Sequence, residues 1–199
     1  HKVAIDEDGE ILFVSKECFS NGCAATVDVS YPSIPMFLIY NPELVKGMMR
    51  PIYKFAASDM WEYDFAPHDA GRYPLVTGQR YGRSTYQDIS TPLLYEKQMP
   101  VEECGNMLLM LAAVGKADGD WSMTEADLPI LRQWCQYLLK YGEDPSEQLC
   151  TDDFAGHLAH NCNLSVKAIE ALAAWAQLLE KMLSDRYGAK VQIITDVGS

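Results

Sequence analysis

Apolar residues recur at helical spacing in four long stretches of this chain, and polar segments separate them. The first predicted helix begins at Asn41–Pro42, because asparagine is a favoured N-cap and proline suits the first helical position. The other predicted helices are, in chain order, 100–119, 122 or 124 to 142, and about 163–188. Because only a short link separates the second helix from the third, we expect these two to form an antiparallel hairpin.

The segments between these helices carry signals of turns and strands. Residues 3–14 read as a β-hairpin that turns at Asp8–Gly9. The prolines of 31–35 predict a turn, and Pro51 should kink or interrupt the helix that contains it. Residues 59–99 form the longest stretch without periodicity, and a loop of that length in a compact domain is usually functional.

The predicted helices begin near residues 42, 101 and 164, which gives a repeat of about 60 residues. Each unit would be a helical hairpin preceded by a polar loop. Stacked helix pairs build either an α-solenoid or a closed α/α toroid, and the long polar loops favour the toroid. We therefore predict an all-α fold with a short β-hairpin near the N-terminus.

Composition and charge narrow the classes of function. The chain has 199 residues, 48% of them hydrophobic, which is the size of one globular domain or at most two small ones. Together with the helical pattern, this predicts a single helical domain, 1–199. Its net charge of −12 argues against nucleic acid and against an anionic membrane surface as partners. No apolar run is long enough for a membrane span, and the N-terminus, which lacks methionine, has no signal-peptide shape. We expect the chain to be a piece of a longer protein.

Three clusters of polar residues lie in the loops or at the starts of predicted helices. They are His68, Asp69 and Arg72; Glu102, Glu103 and Asn106; and Asp152, Asp153, His157, His160 and Asn161. If the helices that begin near 101 and 164 are equivalent elements of a repeat, the second and third clusters should converge at one end of the assembly.

Each cluster has an ordinary structural interpretation beside the functional one. Acids such as Glu102 and Glu103 stabilise the first turn of a helix. Adjacent helical residues diverge by about 100°, so the two side chains cannot face the same way. One of them could therefore point into a cleft and act as a general acid or base. His157 and His160 have a spacing that metal ligands can adopt, yet the signal is weak. We predict no metal and no cofactor there, and a substrate-positioning role for His157 or Asn161 instead.

Several long motifs resemble the glutaminase A family of filamentous fungi and gut bacteria. These motifs are FSNGC at 19–23, TVDVSYPS at 26–33, YNPEL at 40–44, PHD at 67–69, MPVEECGNM at 99–107 and LCTDDFAGHLAHN at 149–161. The resemblance extends over about residues 10–185. It implies a six-hairpin α/α toroid similar to that of many glycoside hydrolases, of which 199 residues would form only a part. It also implies a secreted or periplasmic location and further β-rich domains in the full-length protein.

The resemblance implies hydrolysis of L-glutamine to L-glutamate and ammonia. The leading hypothesis gives the activation of water to one carboxylate among Glu102, Glu103, Asp152 and Asp153, with His157 or His68 assisting proton transfer. The remaining cluster residues would bind a small-molecule substrate: His68, Asp69, Arg72, Asn106, His160 and Asn161. Two alternatives stay open, namely a glycoside hydrolase with a carboxylate pair and a non-catalytic domain that binds carbohydrate or protein. Exposed helical edges also leave a homodimer open.

Overall fold

The computed structural model describes residues 3–17, 22–79 and 95–188 of the chain. Within these ranges the regular structure is helical apart from one small antiparallel sheet, as predicted, and irregular segments connect the helices. The two strands are β1 (Val3–Ile5) and β2 (Ile11–Phe13), paired with Val3 opposite Phe13. The six helices are α1 (Val27–Tyr40), α2 (Pro42–Ala56), α3 (Pro100–Asp118), α4 (Ser122–Ala126), α5 (Leu128–Tyr141) and α6 (Cys162–Tyr187).

The ends of the helices follow the capping signals in the sequence. The Asn41 side chain accepts a hydrogen bond from the Glu43 N–H at the start of α2, which confirms the predicted N-cap. Asn161 caps α6 in the same way, by accepting from the Asn163 N–H. Both α3 and α6 end at a glycine in the left-handed conformation, Gly119 and Gly188, where a side chain would be strained.

Helix α1 corrects the prediction of a turn at 31–35. Pro32 and Pro35 lie within this helix, and both are exposed. Solvent can therefore hydrogen-bond the carbonyl groups that the prolines leave without an amide partner, while the opposite face of α1 packs on α2 and α3. Helix α2 likewise continues through Pro51 to Ala56 without interruption.

The predicted hairpin of the second and third helices is confirmed, with one difference. Its second arm is divided at Asp127 into α4 and α5, because Pro129 in the first turn of α5 cannot donate a backbone hydrogen bond. The 59–99 stretch is irregular in its described parts apart from a 3₁₀ turn at Tyr95–Lys97, and its residues 80–94 lie outside the described ranges.

The core lies between α2, α3, α5 and α6. Its largest fully buried side chain is Trp134 of α5, which stacks on Tyr53 of α2 with ring centroids 5.5 Å apart. Helix α6 packs along α3, which fixes the N-terminal turn of α3 in position. Among the described residues, no helix has both the length and the apolar character that a membrane crossing would require.

Candidate functional site

Two irregular segments pair in antiparallel fashion and bring distant parts of the sequence together. The Ala24 N–H donates to the Gly71 carbonyl at 2.8 Å, and the Ala70 N–H donates to the Ala24 carbonyl at 3.0 Å. One step further along, the Val27 N–H donates to the His68 carbonyl at 2.9 Å. Because Val27 is the first residue of α1, this pairing places His68 beside Asp28 in the first helical turn.

Gly71 is required for this pairing. Its φ is +129°, a backbone conformation that residues with a side chain rarely adopt. A Cβ at this position would also lie 2.7 Å from the Gly78 carbonyl oxygen and 2.9 Å from the Thr77 nitrogen. A glycine here therefore lets the segment that carries His68 fold tightly against residues 77–78.

The N-terminal turn of α3 contributes the third wall of the site. The Ala66 N–H donates to the Cys104 thiol at 3.2 Å, which ties the segment before His68 to α3. Glu103, the neighbour of Cys104, is fully buried. One oxygen of Asp28, one ring nitrogen of His68 and one oxygen of Glu103 consequently all lie within 4.8 Å of one another.

His68 lies between two carboxylates. Its Nδ1 is 2.8 Å from Asp69 Oδ2, and the other oxygen of Asp69 accepts a hydrogen bond from the Gly71 N–H at 2.8 Å. Its Nε2 is 3.4 Å from Asp28 Oδ1. Residues that are adjacent in sequence rarely contact each other through their side chains, so the sequence alone gives only weak support for a His68–Asp69 contact. In the structure, the turn at Gly71 brings these two side chains together.

Burial and neighbouring charge shift the pKa values in this cluster in different directions. Burial would lower the pKa of His68, but interaction with the Asp28 and Asp69 carboxylates outweighs it and holds this pKa well above the ordinary value. Burial would raise the pKa of Asp28, yet contact with His68 keeps it below the usual range. Burial together with the Asp28 charge raises the pKa of Glu103 well above normal.

Two carboxyl oxygens in the cluster have no hydrogen-bond partner among the described residues. They are Glu103 Oε1 and Asp28 Oδ1, and both are buried. The second oxygen of Glu103 accepts a hydrogen bond from Asn106 Nδ2 at 2.9 Å, while Asn106 Oδ1 is itself unpartnered. Buried polar atoms in native proteins nearly always have partners, so this concentration is unusual.

Glu102 points away from Glu103, as the 100° spacing of adjacent helical residues predicts. Its Oε1 lies 2.8 Å from Lys167 Nζ of α6, and its Oε2 accepts a hydrogen bond from the Thr151 N–H at 2.8 Å. Thr151 Oγ1 also lies 3.4 Å from Asp28 Oδ2. Thr151 thus connects Glu102 of the second predicted cluster to the start of the segment that carries the third. Asp28 contacts both Thr151 and His68, so it connects these residues with the first cluster.

The remainder of the third cluster is at the surface. Asp152 accepts a hydrogen bond from the Asn163 side chain at 2.8 Å, and His160 Nδ1 contacts Asp144 at 2.6 Å. Asp153 and His157 are exposed, and Asn161 serves as the cap of α6. Arg72 of the first cluster is exposed as well. The structure therefore unites His68, Asp69, Glu103 and Asn106 in one buried cluster and places the other predicted residues outside it.

Sequence reasoning assigns no role to Asp28, Thr151 or Lys167. Asp28 lies within the TVDVSYPS motif, four residues before Pro32, and the prolines of this segment argue against the helix to which Asp28 belongs. As an acid in the first turn of α1, it occupies the same kind of position as Glu102 and Glu103 in α3. Recognition of α1 as a helix would have drawn attention to it.

Comparison with known proteins places these residues in a family. The family model described as the glutaminase A six helical-hairpin domain matches residues 1–193. Glutaminase A of Aspergillus oryzae is 39% identical over 162 aligned positions, which cover 81% of this chain and 22% of that protein. A probable glutaminase of Arthroderma benhamiae is 28% identical over 228 aligned positions, which cover 86% of this chain and 25% of that protein. The chain spans about a quarter of the length of these relatives. Because this family model matches almost the whole length of the chain, the chain belongs to the glutaminase A six helical-hairpin domain family.

Proposed function

We propose that this chain supplies the hydrolytic site of a glutaminase-type amidohydrolase, which converts L-glutamine and water to L-glutamate and ammonia. The observation that carries the proposal is the buried Asp28–His68–Glu103 cluster in a chain whose relatives are named glutaminase A or probable glutaminase. Such a cluster of acid and imidazole groups, built from three separate segments, is typical of sites that move protons.

Asp28 is the cluster residue best placed to meet a substrate. Its side chain is 15% exposed, against 5% for His68, whereas Glu103 is fully buried. Its Oδ2 faces Thr151, at the start of the exposed segment that follows. In the proposed reaction, this oxygen accepts a proton from the water that attacks the side-chain amide carbon. A C–O bond forms, the C–N bond breaks, and the same oxygen returns the proton to the nitrogen that leaves as ammonia.

The other cluster residues hold Asp28 in place. The Asp69 carboxylate fixes the His68 ring through Nδ1, so that Nε2 faces Asp28. Glu103 and Asn106 close the cluster on the side of α3. These are positioning roles, because none of these four residues needs to touch glutamine.

The exposed segment 152–161 offers groups for the rest of the substrate. Glutamine carries an α-ammonium group and an α-carboxylate. In this proposal Asp152 or Asp153 faces the ammonium group, and His157, His160 or Asn161 donates hydrogen bonds to the carboxylate. The segment follows directly on Thr151, whose backbone is anchored to Glu102.

Ammonia release from L-glutamine by the full-length protein tests the proposal. We expect Asp28→Asn to lower kcat at least about 100-fold, which is within the usual contribution of a general acid–base group. Asp59→Asn, a change of an exposed acid outside the cluster, is the matched control and should retain activity. Far-UV circular dichroism verifies that both variants fold.

Two results would refute the proposal. Turnover of an aryl glycoside without ammonia release from glutamine would instead identify a glycoside hydrolase. Binding of ligand without turnover of either substrate would identify a non-catalytic binding domain.

A further inference from the structure

We propose that Asp28, His68 and Glu103 form a binding site for one divalent transition-metal cation of the zinc class. The ligand atoms are Asp28 Oδ1, His68 Nε2 and Glu103 Oε1, which come from α1, the 66–72 segment and α3. One imidazole and two carboxylates suit Zn²⁺ or Mn²⁺, and three protein ligands leave a coordination position for water.

The spacing of the ligand atoms fits such an ion. Zinc bonds to nitrogen and oxygen ligands at about 2.0–2.1 Å, so two ligands at adjacent corners of a tetrahedron are about 3.4 Å apart. The separation of His68 Nε2 from Asp28 Oδ1 is 3.4 Å. This distance is longer than an ordinary N–H···O hydrogen bond. One carboxylate oxygen each of Asp28 and Glu103 and one ring nitrogen of His68 lie within 4.8 Å of one another, so the three groups are close enough to share one ion.

The two unpartnered oxygens provide a second, independent observation. Glu103 is fully buried, and its Oε1 has no hydrogen-bond partner among the described residues, while its Oε2 is held by Asn106. Among the described residues Asp28 Oδ1 is also buried and accepts no hydrogen bond, and His68 Nε2 lies 3.4 Å from it. A buried acceptor without a hydrogen bond destabilises the fold, and a cation between the two oxygens would satisfy both.

The surroundings of His68 are those of a metal ligand. Histidines that bind metals through one ring nitrogen usually donate the other N–H to a carboxylate or a carbonyl group, which fixes the tautomer. His68 Nδ1 makes this contact with Asp69 at 2.8 Å, and Asp69 is oriented in turn by the Gly71 N–H. The ring therefore presents Nε2 to Asp28 and Glu103.

Charge favours a cation as well. The cluster contains the carboxyl groups of Asp28, Asp69 and Glu103 around a single imidazole, and Lys167 is paired with Glu102 instead. A second grouping, Cys23 with His68 and Asp69, also has ligand atoms within 4.8 Å. It would have to use the opposite ring nitrogen, which already contacts Asp69, so the geometry points to the Asp28–Glu103 side.

The site deepens the proposed function, and its catalytic part rests on that function. A cation held by the buried oxygens would bind the attacking water and lower the pKa of that water. Asp28 Oδ2 would remain available for proton transfer, since the proposed ligand is Oδ1. The binding of the cation itself rests only on the geometry described above.

Isothermal titration of the EDTA-treated protein with Zn²⁺ tests the inference. We expect one equivalent to bind, and we expect Glu103→Gln and Asp28→Asn to weaken binding at least about 100-fold. Asp69→Asn, which removes the carboxylate that orients His68 but none of the three ligands, should weaken it about 10- to 100-fold. His160→Ala is the matched control, because it removes an exposed histidine that also contacts an aspartate, and it should leave Zn²⁺ affinity unchanged.

The absorption spectrum of the Co²⁺-loaded wild-type protein keeps the test independent of whether the variants fold. We expect the intense visible bands of low-coordinate Co²⁺ without a thiolate-to-metal charge-transfer band. Such a charge-transfer band would assign the ion to Cys23 and overturn the inference. In the titration, the absence of Zn²⁺ binding to the wild-type protein, or a loss of binding only in His160→Ala, would overturn it as well. Metal binding without glutamine hydrolysis would refute the proposed function alone, whereas full glutamine hydrolysis by a protein that binds no Zn²⁺ would refute this inference alone.

Discussion

Replacement of Lys167 by methionine would leave the Glu102 carboxylate in the interior without its counter-charge. The Glu102 side chain is 5% exposed and that of Lys167 is 14% exposed, and the two groups are 2.8 Å apart. Methionine preserves most of the aliphatic stem, which packs so closely on α3 that a Cβ at Gly105 would lie 2.8 Å from Lys167 Cγ. The substitution therefore removes the charge while it retains most of the packing.

The expected loss of stability is about 3 kcal/mol. Breaking a buried ion pair by removal of one partner costs about 3–5 kcal/mol, because the other charge stays in a low-dielectric environment. The lower end applies here, since the Thr151 N–H still donates a hydrogen bond to the second oxygen of Glu102. The double variant Glu102→Gln/Lys167→Met should recover most of this loss, because it contains no buried charge at either position.

Urea unfolding at pH 7, followed by far-UV circular dichroism, measures these changes. The matched control is Lys181→Met on the same helix, which breaks the exposed pair of Lys181 with Asp185 and should cost less than about 0.5 kcal/mol. If Lys167→Met lowered the free energy of unfolding no more than Lys181→Met, the ion pair of Glu102 with Lys167 would not stabilise the packing of α6 on α3. The same conclusion would follow if the double variant were no more stable than Lys167→Met.

Two further predictions concern stability. Gly115→Ala should destabilise the protein by about 2 kcal/mol in urea unfolding, because the new Cβ would overlap Cζ3 of Trp121. Trp121→Leu in the same chain should restore part of that loss. If the losses from the two substitutions were additive instead, the clash with Trp121 would not be the cause. Asp127→Asn should be more stable than wild type at pH 8, because burial and the Glu10 charge raise the pKa of Asp127 to about 6 and its ionisation therefore costs folding free energy. For a fully buried group the cost would be about 3 kcal/mol, which the partial exposure of Asp127 reduces to about 1 kcal/mol. The stability advantage of the asparagine variant should decline as the pH falls through 6. It should vanish below about 4, where Asp127 is protonated in both the folded and unfolded states. A stability difference that does not depend on pH would show that ionisation is not the cause.

The helical architecture was predictable because its signals are local. The spacing of apolar residues and the caps at Asn41 and Gly119 each act within a turn or two of the chain. Helix α1 escaped prediction since two prolines in a short segment usually break a helix. The tertiary contacts of its inner face, together with the exposure of both prolines, decided the outcome.

The buried cluster was only partly predictable because it depends on contacts between distant residues. Glu103 and His68 attract attention through their residue types, but nothing local shows that they meet. Their meeting requires the pairing of 23–27 with 68–72 and the bond between Ala66 and Cys104, which are properties of the folded chain. The inward orientation of Glu103 and the outward pairing of Glu102 likewise depend on how α3 lies against α1 and α6.

A crystal structure of the full-length protein with L-glutamate bound tests the location of the site most directly. We expect the side-chain carboxylate of the product to lie within about 3 Å of Asp28, with its α-carbon substituents towards residues 152–161. Glutamate bound more than about 15 Å from Asp28, beyond the reach of one small-ligand site, would contradict it.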